Sequence, residues 1–145
     1  MAKHSATIKQ LQGITFAGKS ESNNWVMMDG PESFGGSNAA LRPKELLLLS
    51  LGGCTSADVI ALLRKKRVKL DSFQLNISAE STETHPKVYT KIHLEYEFAG
   101  SDIKEKDVER AIELSQNTYC SVTAMLKKSI EISHSYRLVD TEQNY

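Results

Sequence analysis

The pattern of apolar and polar residues predicts three short strands at the start of the chain. Residues 7–11 and 14–17, separated by Gly13, are typical of short strands, and the apolar run 25–28 marks a third. The segment 29–38 that follows is rich in glycine and serine. We predict that it forms a mobile loop, the largest irregular segment of the chain, of the kind that often borders a binding site.

A long helix is predicted from Pro43 to about residue 67. Proline suits the first turn of a helix, and the basic residues 64–67 lie where the helix dipole favours cations. Leucines at positions 46 to 49 and 51 cover almost every side of it, so we expect the helix to be central and buried all round. Gly52 and Gly53 each cost roughly 1 kcal/mol of helix stability against alanine, which indicates tight packing or close approach by a backbone or a substrate.

The rest of the chain completes an α+β pattern without strand–helix–strand alternation. Strands are predicted at 73–79, 88–98 and 130–138, and helices at 103–115 and from Cys120 onward. Residues 100–102 are expected to cap the first of these two helices. The polar tail 140–145 is expected to fray, and residues 1–145 are expected to form a single domain.

Composition and charge exclude several classes of partner. The chain of 145 residues carries 18 basic and 18 acidic residues, so nothing points to nucleic acid or an anionic membrane. Residues 1–7 lack the apolar stretch of a signal peptide, and the leucine run at 46–51 is too short to cross a bilayer. These features predict a cytoplasmic protein, in which thiols normally stay reduced.

The two cysteines are the strongest candidates for chemistry. Cys54 and Cys120 each lie at or near the start of a predicted helical run, where a thiol can be shifted toward the reactive thiolate. This position favours a thiol redox reaction. The alternative is that both are buried cysteines that act as small apolar residues.

Three segments of the chain resemble the OsmC/Ohr family, the osmotically inducible protein C and organic hydroperoxide resistance proteins. They are the run from Arg42 to Leu46, the Gly-Gly-Cys motif in the segment 51–55, and the second cysteine in the segment 119–122. The likeness covers nearly the whole chain and is strongest to the less-studied OsmC-like branch. It implies an OsmC-like fold, with antiparallel sheets wrapped around a long central helix, in an intertwined homodimer whose active sites lie at the subunit interface.

The resemblance also implies a reaction. Cys54 would be the peroxidatic thiol that reduces an organic hydroperoxide, Cys120 the resolving thiol, and an external dithiol the reductant, in a stress response that needs no metal or organic cofactor. Active members hold the thiolate with an arginine from the N-terminal strands and a glutamate ten residues before the cysteine. In this chain Arg42 lies at the helix entry, position 44 is lysine, and Glu45 is nine residues before Cys54. Because a one-residue shift turns a helical side chain by about 100°, Glu45 need not point where the family's glutamate points.

Two other functions stay open beside the peroxidase. One is a catalytically weak or inactive OsmC-like dimer that binds a small apolar or electrophilic ligand, as the displaced arginine and glutamate suggest. The other is a redox sensor that acts through a partner. The apolar residues Trp25, Met27, Met28 and Phe34 fit either the mouth of a hydroperoxide site or ordinary core and dimer packing.

A zinc site built from Cys54, Cys120, His93 and His134 is disfavoured, because the sequence has no closely spaced ligand pair. His134 is interpreted as a hydrogen-bonded core histidine and His93 as solvent-facing. Asp58 lies one helical turn after Cys54, where a carboxylate would raise the pKa of the thiol.

Overall fold

The computed structural model describes residues 1–141, which form two compact units divided between Leu48 and Leu49. Residues 142–145, most of the tail that was expected to fray, lie outside the described part. Asp140 is ordered as the last residue of a strand. The α+β pattern with one long helix and two sheets is confirmed.

The first unit contains an antiparallel sheet of three strands in the order β1-β2-β3. The strands are β1 (Ala6–Gln12), β2 (Thr15–Ser20) and β3 (Trp25–Met28), as the apolar pattern predicts. In the single chain every residue of β1 is exposed to solvent. This sheet therefore has little core of its own within one chain.

The loop after β3 is held by one buried carboxylate. Asp29, only 2% exposed, accepts hydrogen bonds from the backbone N–H of Gly30 (2.7 Å), Ala39 (3.1 Å) and Ser37 (3.2 Å). Burial by itself raises the pKa of Asp29, but these N–H donors lower it by more, so that the carboxylate stays ionised. The segment expected to be mobile is thus held at both ends by hydrogen bonds to Asp29. It also contains a single turn of 3₁₀ helix at Glu32–Phe34.

The long helix α1 spans Glu45–Lys65. Its first turn is closed by the Glu45 carboxylate, which accepts a hydrogen bond from the backbone N–H of Arg42 at 2.9 Å. Only one stripe of the helix is buried, made up of Leu51, Gly52, Thr55, Val59 and Leu63. Leu49 is 53% exposed, so the expectation of burial on all sides is wrong for the single chain.

By length and composition α1 could also cross a membrane. Its mean hydropathy reaches 1.9 over the most apolar window, of which 28% is buried in the single chain. The core helices of water-soluble proteins pass the same test, so this property does not distinguish the two environments. The helix is nevertheless longer and more continuously apolar than the leucine run alone indicates.

Gly52 allows α1 to approach the sheet of the second unit. A Cβ atom at this position would lie 2.6 Å from Cδ1 of Ile77, whereas one at Gly53 would meet nothing within 4 Å. Tight packing therefore explains the first glycine of the pair. The second lies on the open side of the helix in the single chain.

The second unit contains a sheet in the order β4-β5-β6. Strands β4 (Ser72–Ser81) and β5 (Tyr89–Gly100) pair antiparallel as predicted, but β6 (Glu131–Asp140) runs parallel to β5, with Leu94 opposite His134. The expectation that the sheets are antiparallel is wrong at this pair. The reason is the long helical connection between β5 and β6, which lets the chain cross back and pair in parallel.

That connection consists of three successive helical segments. They are α2 (Glu105–Leu114), a turn of π-helix at Ser115–Tyr119, and α3 (Ser121–Leu126). The residue before α2 is Lys104, which makes no side-chain capping bond, so the expected cap at residues 100–102 is wrong. The π-helical turn replaces the break expected near residue 117, and such turns often occur at functional sites.

Candidate active site: two thiols and a carboxylate

The two cysteines reach the site from different elements. Cys54 lies in the middle of α1, so its expected place at a helix start is wrong. Cys120 is the residue immediately before α3, as expected, and its sulfur accepts a hydrogen bond from the Thr123 N–H at 3.4 Å. The start of α3 therefore lies next to both thiols: Cys120 precedes it in the chain, and Cys54 contacts it from α1.

The fold brings together residues that are 66 positions apart in the sequence. The sulfurs of Cys54 and Cys120 and a carboxylate oxygen of Asp58 all lie within 4.8 Å of one another. Both cysteines are free thiols; Cys120 is 2% exposed and Cys54 is half-buried. A disulfide has an S–S length of about 2.05 Å, so the sulfurs need to approach by less than about 3 Å to form one.

The surroundings of Cys54 favour its thiolate form. Burial is the largest influence and raises the pKa of Cys54, but hydrogen bonds from the Val122 N–H, the Cys120 thiol and the Ser121 hydroxyl together lower it below its ordinary value. The Ser121 Oγ lies 3.9 Å from the Cys54 sulfur. Asp58 opposes this shift, in the direction expected from the sequence, because its negative charge disfavours a second one nearby.

The pKa of Cys120 shifts in the opposite direction, upward. Burial raises its pKa, the Thr123 hydroxyl and N–H lower it, and the neighbouring Cys54 raises it further, so the net shift is upward. At a given pH Cys54 is therefore more ionised than Cys120. Of two such thiols, the more ionised one is the better nucleophile.

A buried hydrogen-bond network lies against the thiol pair. Thr55 contacts the Tyr96 hydroxyl at 2.6 Å and the Ser115 hydroxyl at 2.8 Å, and it accepts a bond from the Gln116 amide at 2.9 Å. Ser115 in turn donates to the Asp58 carboxylate at 2.9 Å. Since Ser115 uses its proton on Asp58, it accepts from Thr55, which leaves the Thr55 oxygen to accept from Tyr96 and Gln116.

The same network reaches the other thiol. The Thr123 hydroxyl donates to Oε1, the side-chain amide oxygen of Gln116, at 3.3 Å, and the Thr123 N–H is the donor to the Cys120 sulfur. Burial raises the pKa of Tyr96 to about 12, so its hydroxyl remains a donor at physiological pH. One connected set of polar side chains thus links the helix that carries Cys54 and Asp58 to the segment that carries Cys120.

The remaining predicted activators, Arg42 and Glu45, lie at the entry of α1 in the first unit. The Arg42 guanidinium donates hydrogen bonds to the Asn38 side chain and to the backbone oxygen of Ala40, and Glu45 closes the first helical turn. Both residues therefore have a local structural role. Their part in activating Cys54 stays a prediction.

His93 and His134, the two histidines considered as zinc ligands, lie outside the group of Cys54, Asp58 and Cys120. His134 is exposed in the single chain, with its ring edge-on to Tyr96 at 6.5 Å, so the interpretation as a core histidine is wrong. His93 is half-buried and bonds to the hydroxyls of Ser133 and Ser135, each at 2.8 Å. Within residues 1–141 the cluster suited to a metal is Cys54, Asp58 and Cys120, without histidine.

Sequence reasoning missed the donors to Cys54 and the network beneath it. Ser121 and Val122 lie in the recognised segment 119–122, but only their position at the start of α3 gives them a role. Ser115 and Gln116 belong to the π-helical turn, where the sequence suggests a break. No local motif indicates that these residues meet Thr55.

The charge of Asp58 leads to a test of thiol ionisation. Replacing Asp58 with asparagine removes a negative charge near Cys54, and because that charge raises the pKa of the thiol, the variant should have a lower Cys54 pKa. The measurement is the rate of iodoacetamide alkylation at Cys54 against pH, resolved by mass spectrometry. We expect the midpoint to move to lower pH; an unchanged or higher midpoint would contradict this electrostatic account.

Comparison with known proteins gives a consistent set of relatives. The family model described as OsmC-like protein matches residues 35–135. Protein YhfA of Escherichia coli strain K12 is 37% identical over 134 residues, which cover 92% of this chain and 97% of that protein. The crystal structure of a hypothetical protein from Aquifex aeolicus VF5 is 31% identical, with a TM-score of 0.84 over 97% of this chain and 98% of that one. An organic hydroperoxide resistance protein OsmC from Legionella pneumophila has the same fold, at 12% identity and a TM-score of 0.68 over 94% of this chain and 97% of that one.

Proposed function

The chain belongs to the OsmC-like protein family, and on this premise we propose that it is a thiol-dependent peroxidase that reduces organic hydroperoxides to alcohols in a stress response. The observation that carries the proposal is the pair of unequal thiols, Cys54 and Cys120, whose sulfurs lie within 4.8 Å. The name of the structural relative from Legionella pneumophila, an organic hydroperoxide resistance protein, supports the substrate class.

The first step uses the Cys54 thiolate. Its sulfur attacks the terminal oxygen of the hydroperoxide and the O–O bond breaks, so that Cys54 is oxidised to a sulfenic acid. The substrate leaves as an alkoxide and takes up a proton to become the alcohol. The Val122 N–H and the Ser121 hydroxyl hold the thiolate before the attack.

The second step uses Cys120. Its sulfur bonds to the Cys54 sulfur, the sulfenic oxygen leaves as water with the thiol proton, and a disulfide forms. An external dithiol then reduces the disulfide by two exchange reactions and is itself oxidised. The raised pKa of Cys120 suits this order, because a protonated thiol does not compete for the hydroperoxide.

Activation and cellular setting belong to the same proposal. Arg42 and Glu45 would contribute a positive charge and its orienting carboxylate, in a homodimer whose active sites include residues of both subunits. The chain would act as a single domain of residues 1–145 in the cytoplasm, where dithiol reductants are maintained. It would need no nucleic acid, membrane or cofactor.

The exposed apolar surface supports the homodimer. Large apolar side chains are exposed on the first sheet, the following loop and α1, among them Trp25, Phe34 and Leu49. Trp25, Met27 and Phe34 are exposed, which excludes their packing in the core of one chain, whereas Met28 is half-buried. Exposed apolar side chains of this size in each unit favour contact with another molecule, and a second copy of the chain is the proposed cover.

The dimer gives a direct prediction for mass in solution. Sedimentation equilibrium should give twice the chain mass of 16.1 kDa. Replacing Leu49, exposed on α1, with lysine should weaken association by at least tenfold, because it introduces a charge into the apolar contact. Replacing the exposed polar residue Lys128 with glutamine is the matched control. A wild-type protein of single-chain mass at micromolar concentration would contradict the dimer.

The second candidate function is a binding protein of the same fold. It is favoured by one observation: within residues 1–141, the groups that shift the pKa of Cys54 include no positively charged side chain, and Asp58 acts against the thiolate. Such a dimer would hold a small apolar or electrophilic ligand without turning it over.

Turnover separates the two functions. Cumene hydroperoxide is supplied in excess with a dithiol such as dihydrolipoamide, and the alcohol is quantified. The peroxidase account predicts many moles of cumyl alcohol per mole of protein. Saturable binding of the hydroperoxide without alcohol formation would favour the binding protein.

A further inference from the structure

Cys54, Cys120 and Asp58 form a set of donor atoms that the peroxidase cycle does not fully explain. The cycle uses the two sulfurs and gives no role to the Asp58 carboxylate beside them. All three donor atoms nevertheless converge within 4.8 Å. A carboxylate beside two thiols can act with them as the third ligand of a metal cation.

The donor set matches the preferences of zinc(II). Zinc in proteins is bound by thiolate sulfur at about 2.3 Å and carboxylate oxygen at about 2.0–2.2 Å, and sites with three protein ligands leave the fourth position open. Tetrahedral geometry places two such sulfurs about 3.8 Å apart. The observed upper limit of 4.8 Å is within about 1 Å of that separation.

The surrounding contacts orient each of the three ligands. Cys54 and Asp58 are four residues apart on α1, which puts both on one face of the helix. Ser115 donates to Oδ2 of Asp58 at 2.9 Å and leaves the other carboxylate oxygen available. The Thr123 N–H donates to the Cys120 sulfur at 3.4 Å. Outer contacts of this kind orient the ligands of metal sites, and half-buried Cys54 offers access from solvent.

We propose that the reduced protein binds one zinc(II) ion per chain through Cys54, Cys120 and Asp58, and that this binding masks both thiols. Each thiol releases its proton to solvent on binding, and no electrons are transferred. Formation of the Cys54–Cys120 disulfide removes both thiolates and therefore releases the ion. Zinc occupancy and thiol oxidation are mutually exclusive states of the same site.

The test uses the full chain and zinc(II) alone. The reduced protein is titrated against a chromophoric chelator, and free thiols are then counted with 5,5′-dithiobis(2-nitrobenzoate). We expect one zinc per chain, protection of both thiols, and loss of binding in the disulfide form. Cobalt(II) in place of zinc should give the sulfur-to-cobalt charge-transfer absorption of a two-thiolate site. Failure to bind a stoichiometric ion, or equal binding to the disulfide form, would overturn the proposal.

A pair of variants tests the carboxylate. Asp58→Asn keeps the size of the side chain and an oxygen to accept from Ser115, and it should weaken zinc binding by at least tenfold. Glu113→Gln changes an exposed carboxylate of α2 and should bind zinc as the wild type does. Equal affinity in Asp58→Asn would show that the carboxylate is not a ligand. Circular dichroism verifies the fold of both, and Cys120→Ser should lose the two-thiolate absorption.

Zinc uptake and peroxide turnover are separate measurements. A protein that turns over hydroperoxide but binds no zinc would overturn only the metal site. One that binds zinc but fails to form alcohol would overturn only the peroxidase.

Discussion

Replacing Cys54 with serine is expected to abolish hydroperoxide turnover, by roughly 10³-fold or more, down to the rate without protein. A serine hydroxyl does not ionise near neutral pH, so neither the Val122 N–H nor the Ser121 hydroxyl has a thiolate to stabilise. The measurement is the formation of cumyl alcohol under saturating dithiol. The variant replaces one sulfur atom with oxygen at a half-buried position, so the fold should be retained.

The companion variant Cys120→Ser separates nucleophile from resolving thiol. It should release one equivalent of alcohol and then stop or slow, with a sulfenic acid on Cys54 that a dimedone adduct reveals by mass spectrometry. Full turnover by Cys54→Ser would exclude Cys54 as the nucleophile. A dimedone adduct on Cys120 of the wild-type protein would reverse the assigned roles.

Replacing Thr55 with valine is expected to destabilise the protein by about 1–3 kcal/mol. Thr55 is fully buried and its hydroxyl serves three partners, Tyr96, Ser115 and Gln116. Valine has nearly the same shape but leaves the buried Tyr96 hydroxyl without its acceptor and Ser115 without its donor. Chemical denaturation should show a lower midpoint with an unchanged slope.

The same variant should slow disulfide formation, because the network links α1 to the segment carrying Cys120. The rate of Cys54–Cys120 disulfide formation after one equivalent of hydroperoxide should fall, while the initial attack by Cys54 changes less. Thr90→Val, at an exposed position of β5, is the matched control and should alter stability by no more than about 0.5 kcal/mol. A Thr55→Val protein as stable as this control would contradict the importance of the network.

Local pattern predicts most elements of this fold but not how they pair. The hairpin of β4 and β5 follows from residue alternation, since one face of each strand packs inward, whereas the strand at Trp25–Met28 follows from its apolar run. The parallel pairing of β6 with β5 is a property of the crossover through α2 and α3, which alternation along β6 does not encode. The exposure of Leu49 on an apolar helix likewise depends on what packs against the chain, not on the helix itself.

The candidate site was predictable in its cysteines and not in its supporting residues. A family motif identifies Cys54 and Cys120, and helical spacing gives the correct sign for the effect of Asp58. The lowered pKa of Cys54 was expected for the wrong reason, because its donors come from the start of α3 and not from its own helix. Tertiary contact between Thr55 and the π-helical turn leaves no trace in the local sequence.

The measurement that tests the central claim most directly is a count of free thiols, with intact mass, on the reduced protein before and after one equivalent of cumene hydroperoxide. The account predicts that both thiols disappear and that the mass falls by about 2 Da, as a Cys54–Cys120 disulfide forms. Two thiols that survive with an unchanged mass would contradict it, and the ligand-binding function would then be the better description of this protein.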